Sequence, residues 1–207
     1  GTKVSILVGP TGTGKSVWAP VQLLRSRIGR EGRILVTQPR LVTLRTSKKK
    51  GEDTSTPGFV AKHLLGADAV GAGQEVGVLF SGESSKQDRY TRLLYVTDGI
   101  LIRWILSGQL GRFSVVVIDE AHEQSSNMEL IFALMRYHLP LYPRLRLVIA
   151  SATMDIERFQ NFFGAGDPSR VFVAQPEQPT TLKVIHDRWP DGPEGYAVKL
   201  PGFEVPE

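Results

Sequence analysis

An open α/β domain, with a mostly parallel sheet covered by helices on both faces, is the fold class that this 207-residue sequence predicts. Two observations predict it. Six short apolar runs, rich in Val, Ile and Leu, lack the strict alternation of a strand with one wet face, and strands buried on both faces look like this. Longer stretches with helical periodicity separate them, so the element order is β-α-β throughout. A hydrophobic content of 41% with 22% charged residues places the chain among packed globular domains rather than disordered ones.

The elements follow in order. "VSILVG" (4–9) is the first strand, and the periodic stretch 15–28 is a helix stopped at Gly29. "RILVTQ" (33–38) is the second strand. The polar segment 46–58, "TSKKKGEDTSTPG", opens on a lysine run and contains Gly and Pro, which predicts a surface loop. Residues 58–66 form a helix. "RLLYVT" (92–97) is a strand, and 98–107 is a helix with Asp98 as its N-cap and Gly108 beyond its end. "SVVVID" (114–119) is a strand and 126–138 a helix. "LRLVIAS" (145–151) is a strand, followed by a helix over 155–163 that Asp155 caps and Gly164 stops. "RVFVA" (170–174) is the last of the six strands. From Gln175 the chain turns proline-rich around a single strand-like run, "TLKVIHD". Residues 1–174 therefore read as one domain, and 175–207 as a linker with the start of something else.

Composition excludes several classes. With zero cysteines there is no disulfide framework and no thiolate metal site. No apolar run reaches eighteen residues, so no transmembrane helix and no membrane partner are expected. The first residues lack the pattern of a signal peptide. The expected location is intracellular: cytoplasmic or, in a eukaryote, nuclear. A net charge of +4 is compatible with a polyanionic partner but is weak support for one.

Chemistry enters at "GPTGTGKS" (9–16), which fits GxxxxGK[ST] and joins a strand to a helix. In the loop Gly9, Thr11, Gly12, Thr13 and Gly14, the glycines let backbone N–H groups approach phosphate oxygens. Lys15 supplies positive charge at the β- and γ-phosphates, Ser16 a hydroxyl for Mg²⁺, and the helix its N-terminus. Such a site needs a carboxylate from a neighbouring strand. Asp119 ends the apolar strand 114–119, at the edge where open α/β sheets bind ligands, and Glu120 follows where it could orient or deprotonate a water. In isolation the same pair would serve a helix dipole. The phosphate loop about a hundred residues upstream favours the metal-and-water reading.

Five motifs in order now resemble those of one family. The P-loop, "DEAH" (119–122) and "SAT" (151–153) resemble motifs I, II and III of superfamily 2 helicases. "TQPR" (37–40) and "YVTDGILIR" (95–103) resemble motifs Ia and Ib of the DEAH-box (DEAH/RHA) RNA helicases, whose P-loop helix also contains a proline, here Pro20. "SAT" rather than "TAT" separates the chain from the flavivirus-like helicases. The resemblance spans residues 3–174 and implies one RecA-like P-loop NTPase domain, with 175–207 leading into a second.

The resemblance also implies roles. Lys15 and Ser16 would bind ATP or another NTP with Mg²⁺, Asp119 would hold the Mg²⁺, and Glu120 would be the catalytic base. His122, Ser151 and Thr153 would couple the nucleotide site to the nucleic-acid face and to the partner domain. Gln38, Arg40, Thr97 and Asp98 would lie against single-stranded RNA. Arg40 and Thr97 are suitable phosphate donors, whereas the Asp98 carboxylate suits capping or orienting a neighbour. Three positions depart from the family pattern. Gln124 and Leu41 each replace an arginine, and Trp18 replaces a glutamine. Segment 46–58 is extra, and Lys48, Lys49 and Lys50 in it are candidates for restoring contact with a polyanion.

The expected function is that of an ATP-binding motor domain of an ATP-dependent RNA helicase, 3′-to-5′ by resemblance. Activity alone should be very low, since the family's arginine finger comes from the second RecA-like domain. A DNA helicase or translocase, and a nucleotide-gated RNA-binding scaffold, are the alternatives.

Overall fold

The computed structural model describes residues 3–10, 12–44, 48–49, 52–66, 70–71, 73–81, 89–123, 125–153, 155–164 and 171–174. Thr11, Lys50, Gln124 and the whole of 175–207 lie outside them. The described strands are β1 (Val4–Val8), β2 (Arg33–Thr37), β3 (Lys48–Lys49), β4 (Glu52–Asp53), β5 (Val76–Leu79), β6 (Leu93–Val96), β7 (Phe113–Ile118), β8 (Arg146–Ser151) and β9 (Val171–Ala174). The α-helices are α1 (Lys15–Arg25), α2 (Arg27–Arg30), α3 (Leu41–Leu44), α4 (Thr56–Phe59), α5 (Asp98–Leu106), α6 (Ser126–His138) and α7 (Ile156–Gly164).

Among the described residues, seven strands form one sheet in the order β5-β6-β2-β7-β8-β1-β9. Every neighbouring pair is parallel. Successive strand residues bury to opposite sides. Leu94, Val96, Leu35, Val116 and Ile118 face a core that includes Leu101, Ile105, Ile131 and Met135 of α5 and α6. Leu93, Tyr95, Ile34, Val36, Val115 and Val117 face the other core, with Val21 and Leu24 of α1. Both faces of the sheet are covered, which explains why the strands read as unbroken apolar runs.

Several expectations are corrected in detail. The 15–28 helix breaks at Ser26, whose backbone is extended (φ −70°, ψ 166°) and whose hydroxyl bonds the Leu23 carbonyl at 2.6 Å. The same hydroxyl accepts from Gly29 N–H and starts α2. Gly29 is the close-approach residue of this fold-back, since a Cβ there would stand 2.1 Å from the Leu23 carbonyl oxygen. The described residues of segment 46–58 include regular structure where a loop was expected: Lys48–Lys49 pairs antiparallel with Glu52–Asp53, and Ser55 caps α4 by accepting from Gly58 N–H at 3.1 Å. The 58–66 helix therefore begins at Thr56, and it ends in a π-helical turn, Val60–Leu64. Thr97, not Asp98, holds the N-cap position of α5, and Asp98 is its first helical residue. Asp155 caps α7 as expected, its carboxylate accepting from Arg158 N–H at 3.0 Å. Strand β5 was not foreseen. Its Val-Gly-Val-Leu run is short and interrupted by glycine, which weakens a strand signal.

Candidate active site

The carboxyl ends of the parallel strands converge on one edge of the sheet. Each predicted site segment leaves from a different strand there: the P-loop from β1, Gln38 and Arg40 after β2, Thr97 and Asp98 after β6, Asp119 and Glu120 after β7, and Ser151 to Thr153 at the end of β8. This is the edge at which open α/β sheets present ligands.

The P-loop is shaped by local chemistry. Gly12 (φ 88°) and Gly14 (φ 82°) adopt left-handed backbone, which a side chain would strain. A Cβ on Gly14 would also stand 2.6 Å from the Trp18 indole, which packs over the loop at that point. Gly9 N–H donates to the Ser151 carbonyl at 3.1 Å and ties the loop to β8. Lys15 is only 7% exposed. Its Nζ donates to the carbonyls of Gly9 (2.5 Å) and Pro10 (2.8 Å), so the ammonium sits inside the turn of its own loop. Burial pushes its pKa down, partly offset by the carboxylates of Glu120 and Asp119.

Pro20 lies within α1 and has no N–H to give to the Ser16 carbonyl one turn earlier. The phenol of Tyr95, fully buried on β6, donates to that carbonyl at 3.4 Å. A proline that would otherwise leave a helix acceptor unpaired is thus matched by a hydroxyl from the sheet beneath it.

Asp119 is 1% exposed and heavily bonded. Its carboxylate accepts from the Ser16 hydroxyl, from Gln38 Nε2 at 2.5 Å and from the backbone N–H of Glu120 at 2.9 Å. Burial nevertheless lifts its pKa to about 6, because desolvation outweighs those donors and Glu120 adds repulsion. The paired oxygens of Ser16 and Asp119 fit a hard dication such as Mg²⁺, which prefers oxygen ligands, and positive charge there would favour the ionised carboxylate. Glu120 is the one non-glycine residue with positive φ (52°) among the described residues. Left-handed backbone at a residue with a Cβ costs about 1–2 kcal/mol, so the fold holds this carboxylate against a local preference.

His122 joins Glu120 to motif "SAT". Its Nδ1 accepts from Ala152 N–H at 3.4 Å and lies 3.5 Å from Glu120 Oε2. Ser151 is fully buried and donates to the Thr153 carbonyl at 2.5 Å, while Thr153 is exposed.

The four residues expected against nucleic acid divide in two. Arg40 is exposed (68%) and Thr97 half-buried, but Gln38 and Asp98 are buried. Arg40 grips Glu123 with two nitrogens, Nη2 at 2.6 Å and Nε at 2.7 Å. Gln38 turns inward to Asp119. Sequence reasoning missed Glu123, Thr43 and Tyr95. The first pairs with a residue 83 positions away, and no local spacing marks any of the three.

Asp98 has a buried Oδ1 without a hydrogen-bond partner among the described residues, and burial, with repulsion from Glu123, raises its pKa from 3.8 to about 6. Between those values the folded chain holds a proton that the unfolded chain has lost, so this group's contribution to stability falls as pH rises from 4 to 6. Asp98→Asn removes the buried charge and is expected to stabilise the fold by about 1–2 kcal/mol at pH 7.5. Urea denaturation should show that gain shrinking at pH 5. Equal or lower stability of the variant at pH 7.5 would contradict the account.

Comparison with known proteins agrees with this geometry. Residues 2–162 match the family model described as DEAD/DEAH box helicase. A Caenorhabditis elegans protein, "Probable ATP-dependent RNA helicase DHX35 homolog", is 38% identical over 165 residues, covering 76% of this chain and 20% of that protein. The chain thus spans about a fifth of that relative's length. Among the described residues, no helix is long and apolar enough to cross a membrane. With most of its length matched and a parallel sheet of RecA-like order, the chain belongs to the DEAD/DEAH box helicase family.

Proposed function

We propose that this domain is the ATP-binding half of a motor that translocates on or remodels single-stranded RNA, working with a second RecA-like domain inside a cell. The contact between the P-loop Ser16 and Asp119 of "DEAH" carries the reading, because it joins a phosphate loop to a metal-type carboxylate at the ligand edge of the sheet.

In the proposed reaction Lys15 exchanges the Gly9 and Pro10 carbonyls for the β- and γ-phosphate oxygens of ATP. The left-handed glycines aim backbone N–H groups at the same phosphates. Ser16 and Asp119 would hold Mg²⁺, which would supply positive charge to the phosphate oxygens. Glu120 accepts the proton of the attacking water, and His122 passes the state of that carboxylate to the 151–153 turn. Arg40 and Thr97 are the proposed phosphate-backbone contacts of RNA, with Arg40 releasing Glu123 to make its own. Gln38 and Asp98 support these contacts from below. Lys48, Lys49 and Lys50 are proposed as a further contact with the same polyanion.

The test is ATP hydrolysis by the full-length protein with single-stranded RNA or DNA as activator. Strong stimulation by RNA with weak stimulation by DNA is the expected result. Equal stimulation would assign a DNA-competent translocase, and no turnover with intact ATP binding a nucleotide-gated scaffold. For residues 1–207 alone, turnover should be about 10³–10⁵-fold lower, the usual contribution of an arginine finger from outside the domain.

A further inference from the structure

Gln38 lies in a segment that resembles a nucleic-acid motif, yet it is 3% exposed and its side chain points at the nucleotide edge. Its backbone N–H is fixed to the Val96 carbonyl at 2.9 Å. Its Nε2 donates to Asp119 Oδ2 at 2.5 Å, while its Oε1 lies 3.0 Å from the Thr43 hydroxyl. The orientation of the amide follows from chemistry: turned over, its oxygen would face the Asp119 carboxylate with no proton between them. The Thr43 hydroxyl has one proton to share between Gln38 Oε1 and the nearer Arg40 carbonyl, at 2.6 Å. The other Asp119 oxygen, Oδ1, accepts from Glu120 N–H at 2.9 Å. A protein donor therefore holds each carboxylate oxygen, and the plane of the group is set before any cation arrives.

We propose that Gln38 is a positioning residue for the metal site: its amide, carried on a backbone anchored to β6 and flanked by Thr43, fixes the Asp119 carboxylate in the rotamer that presents an oxygen beside Ser16. The inference rests on the reading of Asp119 as the magnesium-side carboxylate. Outer groups that orient a ligand typically change metal affinity by about 10–100-fold when removed. Gln38 sits on the turn that also carries Arg40, whose guanidinium ties the same two segments together at the surface. The 38–43 turn and the 119–123 turn are thus joined by one buried rung and one exposed rung.

The experiment is a fluorescent-nucleotide titration of the full-length protein, once in EDTA and once across a Mg²⁺ series. Gln38→Met keeps the side chain's length and removes both polar groups. It is expected to raise the half-saturating Mg²⁺ concentration about tenfold or more, with affinity in EDTA within about twofold of the parent. Thr43→Val, which removes the hydroxyl beside the amide oxygen, should move the Mg²⁺ value the same way by less and serves if Gln38→Met folds poorly. Gln38→Glu, which sets carboxylate against carboxylate, should move it further. A loss of affinity equal with and without Mg²⁺ would mean a merely structural residue, and an unchanged Mg²⁺ dependence in both Gln38→Met and Thr43→Val would overturn the inference. Asp119→Asn separates the two readings. If it abolishes the Mg²⁺ effect while Gln38→Met leaves it intact, only the role of Gln38 fails. If it leaves the Mg²⁺ effect unchanged, the assignment of Asp119 fails and the inference falls with it.

Discussion

Glu120→Gln in the full-length protein is expected to lower RNA-stimulated ATP hydrolysis by about 10²–10⁴-fold, the usual contribution of a positioned general base. Glutamine has nearly the shape of the carboxylate but cannot accept the proton of an attacking water. The 52° φ at this position persists in the variant, because it is imposed by the turn: Glu120 N–H bonds Asp119, and Ala121 N–H bonds the Ala150 carbonyl at 2.9 Å. Nucleotide affinity should stay within about threefold, since Lys15, Ser16 and Asp119 are untouched. Steady-state phosphate release beside equilibrium nucleotide binding makes the comparison. Turnover within tenfold of the parent would remove Glu120 from the chemistry and move attention to His122.

Lys15→Ala is expected to weaken ATP binding by about 10–100-fold, as the loss of charge-assisted bonds of about 1.5–3 kcal/mol would give. Its effect on folding should be small. The ammonium is buried, its hydrogen bonds among the described residues go to groups of its own P-loop, and burial already disfavours its charge. Lys15→Arg should not rescue binding, because a planar fork cannot replace a point charge inside so tight a loop. Titration with a fluorescent ATP analogue reads the loss and thermal melting reads the fold. Unchanged affinity in Lys15→Ala would break the phosphate-site assignment on which the proposed function stands.

The sequence made the scaffold legible wherever burial on both faces imposed long apolar runs. Leu93 to Val96 and Phe113 to Ile118 are entirely buried, and such strands announce themselves without a partner in view. Strand β5 did not, because Gly77 breaks its short run and, among the described residues, its pairing with β6 supports it on one side alone. The break in α1 was hidden because the helical period continues past Ser26, and only the hydroxyl's bond to Leu23 diverts the backbone. At the candidate site, the convergence of Gly12, Gly14, Lys15 and Asp119 was legible because the GxxxxGK[ST] spacing and a carboxylate ending an apolar strand both mark the same edge of a parallel sheet. The inward turn of Gln38 and the grip of Arg40 on Glu123 were not, since both are contacts over about eighty residues whose direction no local pattern encodes.

The meeting of Pro20, Ser16 and Tyr95 has a consequence for how this chain can drift. An ordinary residue at position 20 would return an N–H to the Ser16 carbonyl and leave the Tyr95 hydroxyl with nothing necessary to do. Phenylalanine at 95 would then be tolerated, whereas beside Pro20 it strands a buried acceptor. The two positions are therefore bound by the order of events: position 20 must change first, and a lineage that loses the phenol before the proline passes through a weakened phosphate loop.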